Sequence, residues 1–359
     1  MNVLYVANSG EIGGGNRSLE LLMTGIRDKG ITPVVIVPEE GEAADLFRRQ
    51  GIKVFVLHIT PPNMANALRY VSFLVKLSRI VKAEKIKLVH TNGTLAARSV
   101  STICHWMTLP LITHVRFDLG PDYYRWAFKK LHPPQHFIFV SHYMKSSIAK
   151  YLSCGKSSAF SVIHNAVMDK QVPPSPPTHE IKNIGIIANL QKVKGHEDFL
   201  EMAKRLLQKM PQLQFHIIGG DNLKQNRDKE LESYASTLGI QSNVTFHGFV
   251  LDVDEKIKQL DLVICPSHEE PFGRCAIEAM QYGKPVIITR VGGLPEIVSE
   301  PENGFIVPPH RPDLLAEAVE KVVEADYEKF YTANTTKIKK QFSKERHINE
   351  VFEIYRQYL

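Results

Sequence analysis

Residues 262–288 of the chain read LVICPSHEEPFGRCAIEAMQYGKPVII, and this segment is the most informative one for the fold. Two short apolar runs rich in Val and Ile, Leu262–Cys265 and Val286–Thr289, flank a segment with helical spacing that begins near Gly273. A strand, a helix and a second strand in this order form a βαβ unit, whose strands are parallel. The segment therefore predicts a parallel sheet that is covered by helices on both faces.

The same alternation of short apolar runs and longer amphipathic segments extends along the whole chain, which predicts the α/β class. A representative helix is predicted for Arg17–Lys29, where Leu19 and Leu22 begin one apolar face. The other predicted strands are Asn2–Ala7, Pro33–Val37, Ile52–Leu57, Ile86–His90, Leu111–Val115, Phe137–Val140, Phe160–Ile163, Ile184–Ala188, Phe215–Ile218, Val244–Phe246 and Phe305–Val307.

A proline-rich segment, Val172–Glu180, divides the chain into two parts of similar size. Four prolines in nine residues cannot continue a helix or a central strand, so this segment is predicted to be a stiff linker. We expect one Rossmann-like domain at residues 1–171 and a second at residues 181–342. An amphipathic helix at about 343–359 is expected to cross back and pack on the first domain.

The composition, with 43% hydrophobic and 23% charged residues in a chain of 359, is that of a globular protein. It excludes disordered chains, collagen-like repeats and small disulfide scaffolds. The four cysteines form no CxxC pair and no zinc-binding spacing, so no metal site is predicted. No apolar run approaches the roughly 18 residues of a membrane span, and Met1–Ala7 is typical of a buried strand rather than a leader, so we expect a cytoplasmic protein.

The net charge of +6 is unevenly distributed. Residues 1–171 contain 21 basic and 11 acidic side chains, a net charge of +10, whereas the remainder contains 23 and 27, a net charge of −4. A basic first half fits an anionic membrane surface, a phosphorylated ligand or nucleic acid. The sequence has no aromatic RNA-binding platform, helix-turn-helix pattern or zinc finger, so we expect no nucleic-acid partner.

Two glycine-containing segments are candidates for binding a phosphate. Gly13–Gly15 stand between the first predicted strand and the following helix, where backbone amides approach an anion closely, although a tight turn would need the same residues. The second candidate lies in the segment 262–288, where the amides of Phe272, Gly273 and Arg274 lie at the positive end of the predicted helix.

Two glutamates accompany the second of these segments: Glu270 in the loop and Glu278 within the predicted helix. Carboxylates are good acceptors for the hydroxyl groups of a sugar or a ribose. A solvated loop glutamate and a helix-surface glutamate without a ligand would give the same pattern.

Several motifs together resemble glycosyltransferase family 4. They are the Glu270–Glu278 pair, with Phe-Gly after the first and Ala-Met after the second, Gly-Lys-Pro-Val at 283–286, Gly-Gly-Leu-Pro-Glu-Ile-Val at 292–298, Asn-Ala-Val-Met-Asp at 165–169, Val-Lys-Gly at 193–195 and Asn-Gly-Phe at 303–305. The family consists of retaining, nucleotide-sugar-dependent enzymes of the GT-B fold, in which two Rossmann-like domains face each other across a cleft. The resemblance implies an acceptor-binding first domain and a donor-binding second domain.

The resemblance also implies a role for each matching residue. Lys194 would neutralise the donor diphosphate, and Glu278 would bind the ribose hydroxyls. Glu270 and the Phe272–Gly273 backbone would hold the transferred sugar. Gly14 would close over the donor from the opposite domain. His114, at the end of a predicted strand, would contact the sugar, with a structural histidine as the alternative. No metal cofactor is implied.

Two segments depart from the family pattern. Asn189 stands where the family has the second diphosphate-binding arginine, so Lys192 or Arg274 would have to supply that positive charge. Asn189 nevertheless remains among the predicted donor-binding residues. Ala166 replaces a glycine and Met168 is inserted in the Asn-Gly-Val-Asp turn, which predicts a local adjustment of the backbone.

The resemblance implies transfer of a sugar from a nucleotide sugar, taken here as a UDP-sugar, to an acceptor hydroxyl. The basic amphipathic segment Asn63–Lys87 and the aromatic and basic segment Asp122–Lys130 favour a glycan or lipid-linked glycan acceptor at the inner face of an anionic cytoplasmic membrane. Such acceptors occur in the biosynthesis of bacterial cell-surface polysaccharide, lipopolysaccharide or capsule. An ordinary helix with a solvated basic face would show the same pattern.

Three other functions are compatible with these motifs. A nucleotide-sugar epimerase or a glycoside-phosphate synthase would have the same fold. A non-catalytic nucleotide-binding subunit, acting beside a catalytic partner, would account for the missing arginine at Asn189.

Overall fold

The computed structural model describes residues 1–152, 158–172 and 180–359. Most of the predicted linker, at 173–179, and Cys154 lie outside the described residues. The chain forms two compact units, of which the first contains Met1–Met168 together with Ser343–Leu359 and the second contains Asp169–Phe342.

The first unit is built on a seven-stranded parallel sheet in the order β3-β2-β1-β4-β5-β6-β7. Its strands alternate with helices along the chain. The elements are β1 (Asn2–Val6), α1 (Gly14–Gly25), β2 (Thr32–Val37), α2 (Glu42–Arg49), β3 (Lys53–Val56), α3 (Ala67–Ala83), β4 (Ile86–Thr91), α4 (Thr94–Trp106), β5 (Leu111–Val115), α5 (Pro121–Ala127), β6 (His136–Phe139), α6 (His142–Ile148) and β7 (Ala159–Val162).

The second unit is built on a six-stranded parallel sheet in the order β10-β9-β8-β11-β12-β13. Helices again follow most strands. The elements are β8 (Asn183–Ile187), α7 (His196–Leu207), β9 (Gln214–Ile218), α8 (Arg227–Leu238), β10 (Val244–Gly248), α9 (Val253–Gln259), β11 (Leu262–Cys265), α10 (Arg274–Gln281), β12 (Val286–Thr289), β13 (Gly304–Val307), α11 (Pro312–Glu324) and α12 (Tyr327–Gln341).

The predicted α/β class is confirmed, and every predicted strand is present with ends that differ by no more than two residues. The prediction for the first helix was less accurate. Gly13 is the N-cap of α1, and Gly14 and Gly15 form its first turn, so these glycines belong to the helix end rather than to a loop before Arg17. A short 3₁₀ helix, Ile26–Lys29, continues α1.

A thirteenth α-helix, α13 (Lys344–Arg356), begins at the N-cap Ser343, whose hydroxyl accepts a hydrogen bond from the amide of Arg346. It lies against α1 at Gly25, where an added Cβ would be 1.7 Å from Cδ1 of Ile348. Ile348 and Val351 are part of the hydrophobic core of the first unit. The prediction that the last helix crosses back to the first domain is confirmed.

The central strands of both sheets are buried on both faces, which explains why they are apolar almost throughout. The helices instead carry their apolar residues on one side. Among the residues that the structure describes, no helix combines the length and the apolarity that a bilayer span requires.

Both sheets share one topological feature, because the first and fourth strands of each are neighbours: β1 lies beside β4, and β8 lies beside β11. The connections leave these two strands in opposite directions, which opens a crevice at their carboxyl ends. Ligands of doubly wound sheets bind at this point.

The second unit contains a buried histidine whose pKa is lowered. His196 opens α7 and has no exposed surface. Burial lowers its pKa to about 4, and the nearby Glu197 offsets this effect only in part. The folded protein therefore holds His196 neutral, whereas the unfolded chain protonates it near its usual pKa of about 6.5.

We expect the free energy of unfolding to decrease as the pH falls from about 6.5 to about 4, because the unfolded chain binds a proton that folded His196 excludes. Chemical denaturation measures this free energy at each pH. Between about pH 6.5 and pH 4, the free energy of unfolding should fall by up to about 3 kcal/mol less in His196→Phe than in the wild type. Identical losses in both proteins would contradict the assignment of this sensitivity to His196.

Candidate functional site

The segments that follow β8 and β11 pack together at the carboxyl edge of the second sheet. Gly195 has φ 72°, and an added Cβ would lie 2.0 Å from the carbonyl oxygen of Pro266. The amide of His268 donates a hydrogen bond to the carbonyl of Val193 at 2.7 Å. Only glycine fits at position 195, where the backbone is left-handed and another backbone approaches closely.

This packing brings Lys194 and Glu270 into contact. Lys194 Nζ donates a hydrogen bond to Glu270 Oε2 at 2.8 Å, and the two side chains are 18% and 16% exposed. Burial lowers the pKa of Lys194, but the charge of Glu270 and the hydrogen bond to it raise the pKa by more, so that its value is above the usual one. Lys194 therefore remains charged in a largely desolvated site.

The loop that carries Glu270 is fixed on two sides. The amide of Gly293, which follows β12, donates to the carbonyl of Glu270 at 3.0 Å. On the other side, His268 Nε2 lies 2.8 Å from Asp198 Oδ2 in the first turn of α7. These contacts hold the Glu270 backbone between two secondary-structure elements.

The start of α10 completes this part of the site. Gly273 is its N-cap, and the first turn carries no acidic residue, so the positive end of the helix is not neutralised by its own side chains. The ring of Phe272 is buried against Phe342, and its amide donates a hydrogen bond to Glu270 Oε1 at 3.5 Å. Arg274 Nη2 lies 2.6 Å from Glu278 Oε1, with 18% and 26% of the two side chains exposed.

Asn189 lies in the same region, directly after β8. Within the described part of the chain, its Oδ1 is buried and has no hydrogen-bond partner. The buried Arg227 of α8 approaches the next residue, since its Nε donates to the carbonyl of Leu190 at 3.1 Å. The guanidinium is also paired with Glu197 and Glu230, each at 2.6 Å. Its charge is thus balanced by two carboxylates.

The glycine segment of the first unit lies at the corresponding edge of the other sheet. Gly13 and Gly14 are exposed, and an added Cβ at Gly13 would meet no atom within 4 Å. Asn92, which follows β4, donates from Nδ2 to the carbonyl of Gly15 at 3.0 Å. The open glycine backbone at the start of α1 leaves room for an anion beside the helix terminus.

Sequence reasoning missed a polar cluster beside this helix end. Arg116 follows β5 and donates from Nε to Asn92 Oδ1, and from Nη1 to Asn165 Oδ1 at 2.8 Å. Ser18 Oγ donates to the same oxygen of Asn165 at 3.3 Å. All four residues are buried. Asn92, Arg116 and Asn165 follow the strands β4, β5 and β7, and this placement at the carboxyl ends of parallel strands is the sequence feature that could have identified them.

The prediction that His114 contacts the sugar is not supported, because its side chain has no exposed surface. His114 is the fourth of the five residues of β5, and its Nδ1 is 2.7 Å from His90 Nε2. His90 Nδ1 in turn lies 2.6 Å from the hydroxyl of Tyr355 in α13. Burial lowers the pKa of both histidines well below the usual value. His114 is therefore part of a neutral network inside the first unit.

Two family models match the chain. A model described as Glycosyltransferase Family 4 matches residues 12–171, and a model described as Glycosyl transferases group 1 matches residues 168–341. Together they cover both units of the structure.

Curated relatives match the chain over part of their length. A D-inositol 3-phosphate glycosyltransferase of Corynebacterium jeikeium is 34% identical over 151 residues, which are 40% of this chain and 36% of that protein. An uncharacterized glycosyltransferase of Methanocaldococcus jannaschii is 32% identical over 179 residues, or 49% of this chain and 45% of that protein. The chain thus spans less than half of the length of these relatives.

Solved structures match the chain over nearly its whole length. Anabaena HepE in complex with UDP-glucose has a TM-score of 0.84 at 22% identity and covers 99% of this chain and 100% of that one. Sucrose-phosphate synthase from Thermosynechococcus elongatus has a TM-score of 0.82 at 18% identity, with 99% of both chains covered. These similarities show the fold, and the family models show the kinship: the chain belongs to glycosyltransferase family 4 and has the GT-B fold.

Proposed function

We propose that the protein transfers a sugar from a UDP-sugar to an acceptor hydroxyl with retention of configuration. The observation that carries this proposal is the Lys194–Glu270 ion pair at 2.8 Å, at the carboxyl ends of β8 and β11. Glu270 belongs to the loop that leads to the N-terminus of α10. A cation and a helix N-terminus suit a diphosphate, while a carboxylate suits the hydroxyls of a sugar.

Stabilisation of the leaving group is the first requirement of this reaction. The bond between the sugar and the diphosphate breaks as negative charge develops on the phosphate oxygen. Lys194 opposes that charge as a point cation, and the amides at the start of α10 add about half a positive charge. Asn189 is assigned to the same diphosphate, the Phe272–Gly273 backbone to the transferred sugar beside Glu270, and Glu278 to the ribose hydroxyls.

Glu270 is assigned to the sugar itself. Its engagement by Lys194 favours hydrogen bonding to a sugar hydroxyl over attack on the anomeric carbon. The acceptor hydroxyl would attack on the face that the diphosphate leaves, and the departing phosphate would take its proton, which retains the configuration. The choice of a UDP-sugar is supported by the HepE structures, which were determined with UDP and with UDP-glucose.

The first unit contributes the helix terminus at Gly13–Gly15, whose amides suit an anionic group of a substrate. We extend this assignment to Arg116, because its side chain lies beside that terminus: an added Cβ at Gly15 would be 3.6 Å from Cδ of Arg116. His114 is removed from the assignment.

A non-catalytic nucleotide-binding subunit is the second candidate, and one observation favours it. Of the two arginines described near the diphosphate position, Arg274 is paired with Glu278 and Arg227 with Glu197 and Glu230. Since Asn189 is uncharged, Lys194 would then be the main cation that stabilises a leaving group. Lys192, two residues earlier in the chain, is the next basic residue that could contribute charge.

A donor screen tests catalysis. UDP-, GDP- and ADP-sugars are incubated with the purified protein, and release of the nucleoside diphosphate is followed. We expect release from UDP-sugars, and a loss of about 10²- to 10³-fold in Lys194→Ala, because this variant removes charge stabilisation at the leaving group. The matched control is Lys209→Ala, since Lys209 is 67% exposed and pairs with Glu320 on the surface. Nucleotide binding without release from any donor would establish the non-catalytic alternative.

Glu278→Ala tests the ribose assignment. Loss of two hydrogen bonds of about 1–1.5 kcal/mol each should weaken binding of UDP roughly 30- to 150-fold in calorimetry. Glu269→Ala, at an exposed position in the loop before α10, is the control and should bind UDP as the wild type does. Unchanged affinity in Glu278→Ala would remove Glu278 from the ribose site.

We also propose that the acceptor is lipid-linked and that the protein docks on an anionic bilayer through α3. One face of this helix, including Phe73 and Leu77, is buried in the first unit. The opposite face is apolar and exposed: the exposed fractions are 95% for Met64, just before the helix, 88% for Leu68 and 56% for Val71. Exposed basic residues interleave with these side chains, namely Arg69, Lys76, Arg79 and Lys82. Apolar insertion combined with positive charge fits an anionic lipid surface.

Vesicle co-sedimentation tests this surface. The protein should bind vesicles that contain phosphatidylglycerol more than vesicles of phosphatidylcholine alone, and salt should weaken this binding because it screens the basic residues. Leu68→Asp with Val71→Asp should reduce binding at least about tenfold, whereas Val323→Asp on the exposed face of α11 should not. Equal binding by all three proteins would contradict docking through α3.

A further inference from the structure

Two cysteines of the second unit face each other beside the candidate donor site. Cys265 ends β11, Cys275 lies in the first turn of α10, and their Sγ atoms are 3.2 Å apart. Cys265 is 3% exposed, whereas Cys275 is partly exposed. Cys104, in α4 of the first unit, is buried and provides a natural control. A disulfide has a sulfur–sulfur distance of about 2.05 Å, so an approach of little more than one ångström would close the bond.

The two thiols are also close to the charged pair of the site. Lys194 interacts electrostatically with both sulfurs. The hydrogen bond with Cys275 raises the pKa of Cys265 well above the usual value, and burial and Glu270 act in the same direction. Cys265 is therefore held as a thiol, and the more exposed Cys275 is the sulfur that a dissolved oxidant reaches first.

We propose that Cys265 and Cys275 form a site of reversible oxidation by a peroxide, and that the resulting disulfide weakens binding of the nucleoside diphosphate. The first part rests on the thiol geometry alone. The second part rests on the proposed function of the loop between the two cysteines.

The reaction balances with hydrogen peroxide as the oxidant. The Cys275 sulfur attacks one peroxide oxygen, the oxygen–oxygen bond breaks, and the products are a sulfenic acid and water. The Cys265 sulfur then attacks the Cys275 sulfur, and the departing hydroxide takes the Cys265 proton to form a second water. The two thiols lose two electrons in total, and the peroxide gains them. A dithiol reductant reverses the change through two exchange steps.

The disulfide would join the two ends of the segment that carries the donor-binding groups. Residues 266–274 lie between the cysteines and include Glu270 and Gly273. Drawing the start of α10 toward β11 by about one ångström moves its amides and Arg274 relative to Lys194, which belongs to a different segment. Misplacement of a binding group by this distance has large effects, so we expect UDP affinity to fall about tenfold and turnover by up to about 100-fold.

Peptide mapping tests the site without any ligand. Trypsin cleaves after Arg274, which places the two cysteines on different peptides, so the disulfide appears as a linked peptide pair in mass spectrometry. We expect this pair after treatment of the wild type and of Cys104→Ser with hydrogen peroxide, and its disappearance after dithiothreitol. Cys265→Ser and Cys275→Ser should not form it. Absence of the linked pair from the peroxide-treated wild type would overturn the proposal.

Calorimetry with UDP on the reduced and oxidised wild type tests the consequence. We expect about tenfold weaker binding after oxidation, full recovery with dithiothreitol, no change on peroxide treatment of Cys275→Ser, and a retained thermal unfolding transition. Equal UDP affinity in both states, or loss of the unfolding transition, would overturn the coupling to the donor site. Failure of the reduced protein to bind any nucleoside diphosphate would instead overturn the proposed function, while the peptide map would still decide the thiol site.

Discussion

The parallel pairing of β8 with β11 is the constraint on which the candidate site depends. Ile184 pairs with Leu262 and Gly185 with Val263, so the two strands run side by side in the same direction. Their carboxyl ends therefore reach the same edge of the sheet, and Lys194 meets Glu270 although the two are 76 residues apart in the chain. The first sheet repeats the arrangement with β1 and β4, which brings the start of α1 to Asn92.

Burial then determines how the charges of the site behave. Less than a fifth of Lys194 and of Glu270 is exposed, so each ion has lost much of its hydration and is compensated chiefly by the other. A bound diphosphate would share Lys194 with Glu270 and thereby release a carboxylate oxygen for a sugar hydroxyl. Arg274 and Glu278, one turn apart on α10, form a second pair of the same kind. Under the proposed function, each charged or polar group of the ligand thus replaces one partner of these two ion pairs.

The sequence predicted the features that depend on local pattern, as well as the return of the last helix to the first unit, but individual side-chain contacts between distant residues were not predicted. Strands such as Leu111–Val115 and Val286–Thr289 were located because both faces are buried and the residues are apolar. The strand of His114 was located correctly, but its side chain is buried beside His90 inside the first unit, and Arg116 is the residue that follows the strand.

The remaining omissions are also cases of contact between distant residues. Cys265 and Cys275 are ten residues apart and do not form a known redox motif. Their contact depends on the packing of α10 against β11, which only the structure shows. The hydrogen bonds that join Asn92, Arg116 and Asn165 connect three separate strand ends. No periodicity in the sequence encodes such contacts, because each depends on the topology of the whole sheet.

The position of α13 affects the order in which the two units can complete their folding during synthesis. Ile348, Val351 and Tyr355 complete the core of the first unit, and the Tyr355 hydroxyl lies 3.2 Å from that of Tyr5 in β1. Synthesis proceeds from the N-terminus, and the second unit is continuous from Asp169 to Phe342. The whole second unit is therefore synthesised before α13, which the first unit needs to complete its core. The unit that is translated first is therefore the last to close, and the apolar side of α1 stays uncovered on the ribosome until residues 344–356 arrive.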